Sequence, residues 1–126
     1  MVSGVIAVPV GTDTTTRLLE KGLQAATLRH QALVNNIANI NTPGFKRTRV
    51  EFERQLAQAL ANGEDPTKVK PLVVVEQDRS ASPDGNNVDL EAEMVRLAEN
   101  QLWYAALTRQ LSDHFARLRL AIHGRE

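Results

Sequence analysis

Two stretches of this chain, one near each end, carry apolar residues at alternating intervals of four and three positions. Such spacing is typical of a helix that presents one apolar stripe to another helix, as in a coiled coil. It predicts a first helix from Asp13 to about Ile40 and a second from about Asp89 to Ile122. The residues predicted to form the coiled-coil seam are Leu19, Leu23, Leu33 and Ile37 in the first helix and Leu97, Tyr104, Leu111, Phe115, Leu118 and Ile122 in the second. The same stripes also pass through Ala26, His30, Ile40, Leu90, Met94, Gln101 and Thr108.

Polar and turn-forming residues predict where these helices begin and end. Asp13 or one of residues 14–16, all threonine, can cap the first helix, and Pro43 with Gly44 ends it. Asp89 is the predicted N-cap of the second helix, and Gly124 is its predicted stop. At 1.5 Å per residue the helices are about 40 and 50 Å long, too long and too narrowly striped to bury themselves alone. The predicted fold class is therefore all-α, an antiparallel coiled-coil hairpin of the N- and C-terminal helices with an irregular, partly β middle segment.

The middle of the chain differs from its ends. The stretch from Val50 to Leu60 can hold a short helix, and Leu72 to Glu76 is a β-prone run of mostly apolar residues. A lone strand of that kind needs a partner edge, from its own chain or from another. These features divide the chain into residues 1–44 with the first long helix, an irregular segment 45–87, and residues 88–126 with the second long helix. The outer segments together form one helical-hairpin core.

Composition and motifs disfavour enzymatic and nucleic-acid-binding functions. Fifteen basic and fifteen acidic residues cancel, and there is no cysteine. The three histidines are isolated, and no metal-protease, phosphate-loop or nucleophile motif is present. Lys46, Arg47 and Arg49 precede acidic residues and predict a salt-bridging subunit surface rather than a phosphate site. Glu91 and Glu93 are interpreted as solvated charges in the first turn of the second helix. The chain is therefore predicted to be no enzyme, with no catalytic residue, cofactor or metal.

An Asn-rich motif, NNIANINTPGFK at residues 35–46, resembles the N-terminal motif of the flagellar rod and hook proteins. Phe45 stands where that family usually has tyrosine, so a hydroxyl is lost. Asparagine is a poor residue for a helix interior because its amide competes for the backbone. Three asparagines so close together therefore predict amides that bond to another subunit. The predicted subunit interface consists of Asn35, Asn36, Asn39, Thr42, Pro43, Gly44 and Phe45.

A second resemblance lies at the start of the C-terminal helix. Residues 84–94, followed by 97–100 and Tyr104, resemble the entry to this helix in the small rod proteins. The ending at 115–122 is similar to the most proximal small rod protein rather than to its sibling FlgC. The two resemblances together cover roughly half of the chain.

The resemblance implies a structural subunit of the proximal rod of the flagellar basal body. Such subunits polymerise into a helical tube that crosses the periplasm, transmits torque and surrounds the export channel, and they leave the cell through the flagellar type III apparatus. The first ten residues lack the charge and the long apolar run of a secretory signal peptide, which agrees with that route. The implied partners are further copies of the chain, the rod proteins FlgC and FlgF, and the base adaptor FliE. No nucleic acid, small-molecule substrate or membrane insertion is expected.

Two alternatives remain open from the sequence. One is that the chain is the sibling rod protein FlgC. The other is a cytoplasmic coiled-coil adaptor or chaperone, because any helical hairpin has the same periodicity.

Overall fold

The computed structural model describes residues 4–77 and 82–123, with side chains from residue 14 onward. The elements in chain order are α1 (Gly4–Ala38), β1 (Thr48–Glu51), α2 (Glu53–Ala61), a short 3₁₀ turn (Pro66–Lys68), β2 (Leu72–Val75) and α3 (Leu90–His123). Most of the described residues are helical, and the two strands form one small sheet.

The ends of the long helices agree only in part with the sequence prediction. α1 begins at Gly4, so Asp13 and the threonines after it lie inside the helix and do not cap it; that prediction is wrong. Polar residues of this type cost less than about 1 kcal/mol each inside a helix, so they do not force it to start. The N-cap of α3 is confirmed, because the backbone N–H of Ala92 donates to Asp89 Oδ1 at 3.3 Å. The predicted stop at Gly124 lies outside the described residues.

The two long helices pack against each other in antiparallel directions. Along α3, Glu93 contacts Asn36, Asn100 Nδ2 donates to the carbonyl of Ala26 at 2.8 Å, and Leu107 lies against Gly22. As residue numbers rise along α3, the numbers of the contacted residues on α1 fall, so the two helices are antiparallel. A methyl group added at Gly22 would lie 3.1 Å from Leu107 Cδ1, so the helices approach closely at this glycine.

The buried stripe of α3 coincides with the predicted seam at alternate positions only. Its buried residues are Glu93, Asn100 and Leu107, each seven positions after the last. The predicted stripe passes one residue later, through Met94, Gln101 and Thr108, and all three are exposed. Three of its other positions, Leu97, Leu111 and Leu118, are half-buried. The predicted period therefore holds, but two of the three buried positions carry polar side chains that an apolar pattern does not select.

The predicted seam residues differ in exposure within the single chain. Leu33 is buried, while Leu19, Leu23, Ile37, Leu97, Leu111 and Leu118 are half-buried, and Tyr104, Phe115 and Ile122 are exposed. His30, also on the stripe, is exposed. The role of these residues in a seam between packed subunits remains a prediction.

The middle segment forms a two-stranded sheet and a short helix, and β1 of the sheet packs against α1. β1 and β2 pair antiparallel, with Val50 opposite Val73 and Glu51 opposite Leu72. The edge partner that β2 needed is thus supplied by its own chain. Val50 and Glu51 are strand residues and not the start of a helix, which begins only at Glu53. Phe52, between β1 and α2, is buried.

We expect Leu107→Ala to lower the free energy of unfolding by about 2–5 kcal/mol, because it removes a buried side chain where α3 meets Gly22. Leu102→Ala is the matched control, since Leu102 lies on the same helix with 73% of its surface exposed. Its effect should stay within about 0.5 kcal/mol. Urea unfolding followed by circular dichroism measures both; equal effects would contradict this packing of α3.

Candidate assembly site: a polar junction at the end of the first helix

The chain leaves α1 through a turn that carries most of the Asn-rich motif. The backbone N–H of Asn39 still bonds to the carbonyl of Asn35, and its side-chain Nδ2 donates to that same carbonyl at 2.8 Å. Asn39 Oδ1 accepts from the hydroxyl of Thr42 at 3.0 Å. Gly44 has φ 74°, a conformation that suits glycine, and its N–H donates to the carbonyl of Asp84 at 2.8 Å. The turn is therefore held by its own side chains and by the loop that precedes α3.

Asn86 closes the C-terminal end of α1 from that loop. Its Nδ2 lies 2.9 Å from the carbonyl oxygen of Asn39, 3.1 Å from that of Ile40 and 2.9 Å from that of Thr42. Its Oδ1 accepts from the N–H of Val88 at 2.8 Å, and the side chain is buried. These three carbonyls belong to the turn that follows α1, and one amide binds all of them. This contact ties the end of α1 to the start of α3.

Asn36 joins α1 to β1, because its side-chain amide bonds to the backbone of Thr48 in the way that a neighbouring strand would. Its Nδ2 donates to the carbonyl of Thr48 at 2.8 Å, and its Oδ1 accepts from the N–H of Thr48 at 2.9 Å. The same Nδ2 donates to Glu93 Oε1 at 2.8 Å. Asn36 is fully buried, and both of its polar atoms are engaged inside the chain.

A buried ion-pair network lies beside this amide. Glu93 is fully buried in the first turn of α3, and its Oε1 accepts from Arg47 Nε at 2.9 Å. Its Oε2 accepts from Arg96 Nη1 at 2.9 Å. Arg47, itself 6% exposed, also pairs through Nη1 with Glu76 Oε1 at 2.7 Å, just after β2. The network connects α1, both strands and α3, so it positions all four elements at once.

The ionisation of these groups is stabilised by their mutual contacts. Burial alone would raise the pKa of Glu93, but hydrogen bonds from Arg47 and Asn36 outweigh it and hold that pKa below the ordinary value. Burial would lower the pKa of Arg47, but the hydrogen bonds and charges of Glu93 and Glu76 raise it above its ordinary value. The pair is therefore charged at neutral pH.

We expect the chain to lose stability in acid through Glu93. Its folded pKa lies below the unfolded one, so its contribution is complete above the ordinary pKa of 4.5 and is lost as the pH falls through the folded pKa. Glu93→Gln cannot ionise, so the difference in unfolding free energy between the native chain and this variant should shrink below about pH 4.5. Urea titrations from pH 3 to 7 measure it, with Glu91→Gln as the exposed control. A difference that does not change with pH would contradict the ionised network.

Two interpretations from the sequence differ from the structure here. Glu93 is not a solvated first-turn charge, because it is buried in the ion-pair network; Glu91 is exposed. Arg47 is not part of a salt-bridging surface between subunits, because it is buried and pairs with Glu93 and Glu76. Arg49 Nε also pairs with Glu76 Oε1, at 3.0 Å, within the chain. Lys46 Nζ donates to the carbonyl of Gly85, also within the chain.

The junction is formed by Asn36, Arg47, Glu76, Asn86 and Glu93. It leaves some residues of the predicted subunit interface exposed and buries others. The prediction that Asn36 bonds to another subunit does not agree with the structure, because its amide is used inside the chain. Asn39 and Phe45 are half-buried. The exposed members of the predicted interface are Asn35, Thr42, Pro43 and Gly44. Their contact with other subunits remains a prediction.

Several residues of the junction have no local signal in the sequence that marks them as site residues. Asn86 lies in the stretch 84–94 that resembles the entry to the C-terminal helix, and Asn100 lies next to Gln101 on the predicted stripe. One signal was available for Glu93: the seven-residue spacing of Glu93, Asn100 and Leu107 continues the helix stripe if polar residues are admitted to it. Among the side chains of residues 14–77 and 82–123, no group of three or more His, Cys, Asp or Glu could hold a metal ion.

Comparison with known proteins identifies related sequences. Residues 17–46, which run from α1 through the turn at residues 39–44 (the exit turn), match the family model of flagella basal body rod proteins. The chain is 33% identical over 117 residues to the flagellar basal body rod protein FlgB of Bacillus subtilis, an alignment covering 84% of this chain and 91% of the relative. It is 32% identical over 125 residues to FlgB of Borrelia hermsii, covering 83% and 93%. FlgB of Escherichia coli is 27% identical over 111 residues, covering 73% and 80%.

The alignments with the FlgB proteins of Bacillus subtilis and Borrelia hermsii cover 91% and 93% of those relatives. The segment that matches the family model contains Asn36 and the exit turn. By the identity and coverage of these relatives, the chain belongs to the FlgB family of flagellar basal body rod proteins.

Proposed function

We propose that this chain is a structural subunit of the proximal rod of the flagellar basal body, and that its copies polymerise into a helical tube that transmits torque and encloses the export channel. As a member of the FlgB family it is a structural protein of the basal body and not an enzyme. The observation that carries the proposal is the 33% identity to a FlgB protein over 91% of that relative's length. Family membership favours this function over the sibling FlgC and over a cytoplasmic adaptor.

The long helices support polymerisation because much of their apolar surface is not used within the chain. On α3, Leu102 is 73% exposed, Leu120 70% and Ile122 66%. Exposed apolar residues that recur along a helix are typical of a surface that packs against other protein. In the rod we propose that α1 and α3 form a coiled-coil hairpin whose predicted seam, from Leu97 to Ile122 on α3, is completed by neighbouring copies.

The exit turn is the second proposed contact between subunits. Asn35 in the last turns of α1 and Thr42, Pro43 and Gly44 in the turn that follows are all exposed. The buried junction beneath them holds this surface in one conformation, because Asn86 and Asn36 fix the backbone on both sides. A surface that is already ordered loses less conformational entropy on assembly.

Partners other than further copies follow from the family. We propose that FlgC and FlgF continue the rod beyond this subunit, that FliE connects it to the base, and that the chain leaves the cell through the flagellar type III apparatus. Among the described helices, none has a stretch long and apolar enough to cross a bilayer.

Genetic complementation tests this function. A strain lacking the encoding gene should be non-motile, and its purified basal bodies should lack rods in electron micrographs. Expression of the chain should restore both. Normal rods in the deletion strain would contradict the proposal.

We expect Leu118→Asp to block assembly. Leu118 is half-buried in the free chain, and an aspartate there would place an unpaired charge in the proposed seam, which costs several kcal/mol. Arg117→Asp is the control, because Arg117 is exposed on the neighbouring position and should leave swimming largely unchanged. Swimming distance in soft agar measures both variants, and secretion of the variant should be retained. Normal motility of the Leu118→Asp strain would contradict the proposed seam.

A further inference from the structure

The outer edge of β2 carries backbone groups that point away from the chain. In the antiparallel register, Thr48 lies opposite Val75 and Val50 opposite Val73. Thr48 turns both its N–H and its carbonyl toward Asn36, and Val50 turns its carbonyl toward Arg29 Nη2 at 2.9 Å. In an antiparallel ladder, the two residues of a pair either bond to each other through their backbone groups or both turn these groups away from each other. Thr48 and Val50 turn theirs away from β2, so the N–H and C=O groups of their partners Val75 and Val73 point away from β1, toward the free edge of β2.

The other edge of the sheet is closed. Asn36 satisfies Thr48, and Arg29 satisfies the carbonyl of Val50, so β1 has side chains of α1 where another strand would bind. For the residues that the structure describes, β2 is thus the edge of this sheet that is open to a further strand.

The side chains of β2 are apolar and exposed on both faces. Leu72 is 49% exposed, Val73 54% and Val75 47%. An exposed, apolar edge strand is a template for pairing with another strand. A sheet of only two strands is also marginally stable alone, and additional strands stabilise it.

We propose that β2 pairs with β2 of a second copy of this chain in an antiparallel, two-fold arrangement, with Val73 opposite Val73. The resulting sheet has four strands in the order β1, β2, β2 and β1. Val73 of each copy donates to and accepts from Val73 of the other, and Val75 donates to the carbonyl of Pro71. Proline cannot donate in return, which suits its position at the start of an edge strand.

The charges at the two ends of β2 favour β2 of a second copy as the strand that pairs with it, and they favour the register with Val73 opposite Val73. The segment from Lys70 to Glu76 has a basic residue at one end, an acidic residue at the other and apolar residues between. With Val73 on the two-fold axis, Lys70 lies opposite Glu76 of the second copy, and Leu72 lies opposite Val74. A shift that places Val74 on the axis would instead put Leu72 opposite Glu76. The two arginine contacts of Glu76 both go to Oε1. Opposite charges across strands stabilise a pair.

This dimer goes beyond the proposed function and does not depend on it. A two-fold contact is closed, whereas subunits of a helical rod all point in the same direction. The β2 pair therefore belongs to the free chain, where it covers the exposed edge, and it must open before a subunit joins the rod.

Single cysteines introduced along β2 test the register without background, because the chain has no cysteine of its own. In the proposed pair, the Cα atoms of residue 73 in the two copies lie about 5.5 Å apart, within the range for a disulfide. Val73→Cys should form a disulfide-linked dimer under mild oxidation of the full-length chain, while Val74→Cys and Val75→Cys should not exceed a remote control, Gln24→Cys. Preferential linkage through position 74, equal linkage at all positions, or no linkage at position 73 would overturn the proposal.

A charge change tests the same contact without oxidation. Lys70→Glu places two acidic residues opposite each other at both ends of the pair and should raise the dimer dissociation constant at least about tenfold. Lys21→Glu makes the same change in net charge on α1 and should leave dimerisation unchanged. Sedimentation equilibrium measures both variants; equal dissociation constants would contradict the pairing of Lys70 with Glu76.

Discussion

Glu93→Ala should lower the free energy of unfolding by about 3–5 kcal/mol, because it leaves the guanidinium of Arg47 buried without its main partner. The loss also removes an acceptor from Asn36 and from Arg96. Chemical unfolding at pH 7 measures it. Acid should reduce the difference between this variant and the native chain, because protonation of Glu93 removes the same charge.

Glu91→Ala is the matched control for this prediction. Glu91 lies in the same turn of α3, has the same charge relation to the helix dipole and is exposed. Its removal should change stability by less than about 1 kcal/mol. If both alanine variants unfold at the same urea concentration, Glu93 has only the first-turn role that its position in the sequence suggests.

Asn36→Ala should lower the free energy of unfolding by about 2–4 kcal/mol, because the N–H and the carbonyl of Thr48 both lose a buried hydrogen-bond partner. Alanine is the better helix former, but that gain is at most about 0.7 kcal/mol. Asn35→Ala is the control, since Asn35 is the exposed neighbour on the same helix, and its effect should stay within about 0.5 kcal/mol.

The same two variants separate folding from assembly. If the exposed part of the motif contacts other subunits, Asn35→Ala should give a stable, secreted chain that builds rods poorly. Asn36→Ala should instead act through reduced folding stability. Equal stability of the two variants would contradict the internal role of Asn36, and full swimming of the Asn35→Ala strain would remove Asn35 from the proposed interface.

The long helices could be predicted from the sequence because their apolar spacing repeats over many turns. The pairing of α1 with α3 followed from the narrow width of the stripes. The N-cap at Asp89 followed from local chemistry that involves only the next turn. Each of these signals depends on residues near one another in the chain.

The junction could not be predicted in the same way, because its partners are far apart in the sequence. Glu93 is 46 positions from Arg47 and 57 from Asn36, and nothing local distinguishes it from the exposed Glu91. A charged residue is expected at the surface unless a partner is buried with it. The one-residue offset at alternate positions of the α3 stripe has the same cause, since Glu93 and Asn100 occupy core positions that an apolar pattern assigns to their neighbours.

The Asn-rich motif illustrates the difference between finding a site and assigning its roles. Its composition predicted amides that bond to another subunit. It did not indicate that Asn36 bonds within the chain, that Asn39 holds the turn and that Asn35 is exposed. Those roles depend on which side of α1 faces β1, and that is determined by the packing of the whole hairpin.

A cryo-electron microscopy map of basal bodies from the bacterium that encodes this chain tests the central claim most directly. We predict that the chain occupies the proximal rod, with α1 antiparallel to α3, Asn36 bonded to Thr48 and Arg47 paired with Glu93 in every copy. A proximal rod built without this chain, or one in which α1 and α3 of the chain lie apart, would contradict the account.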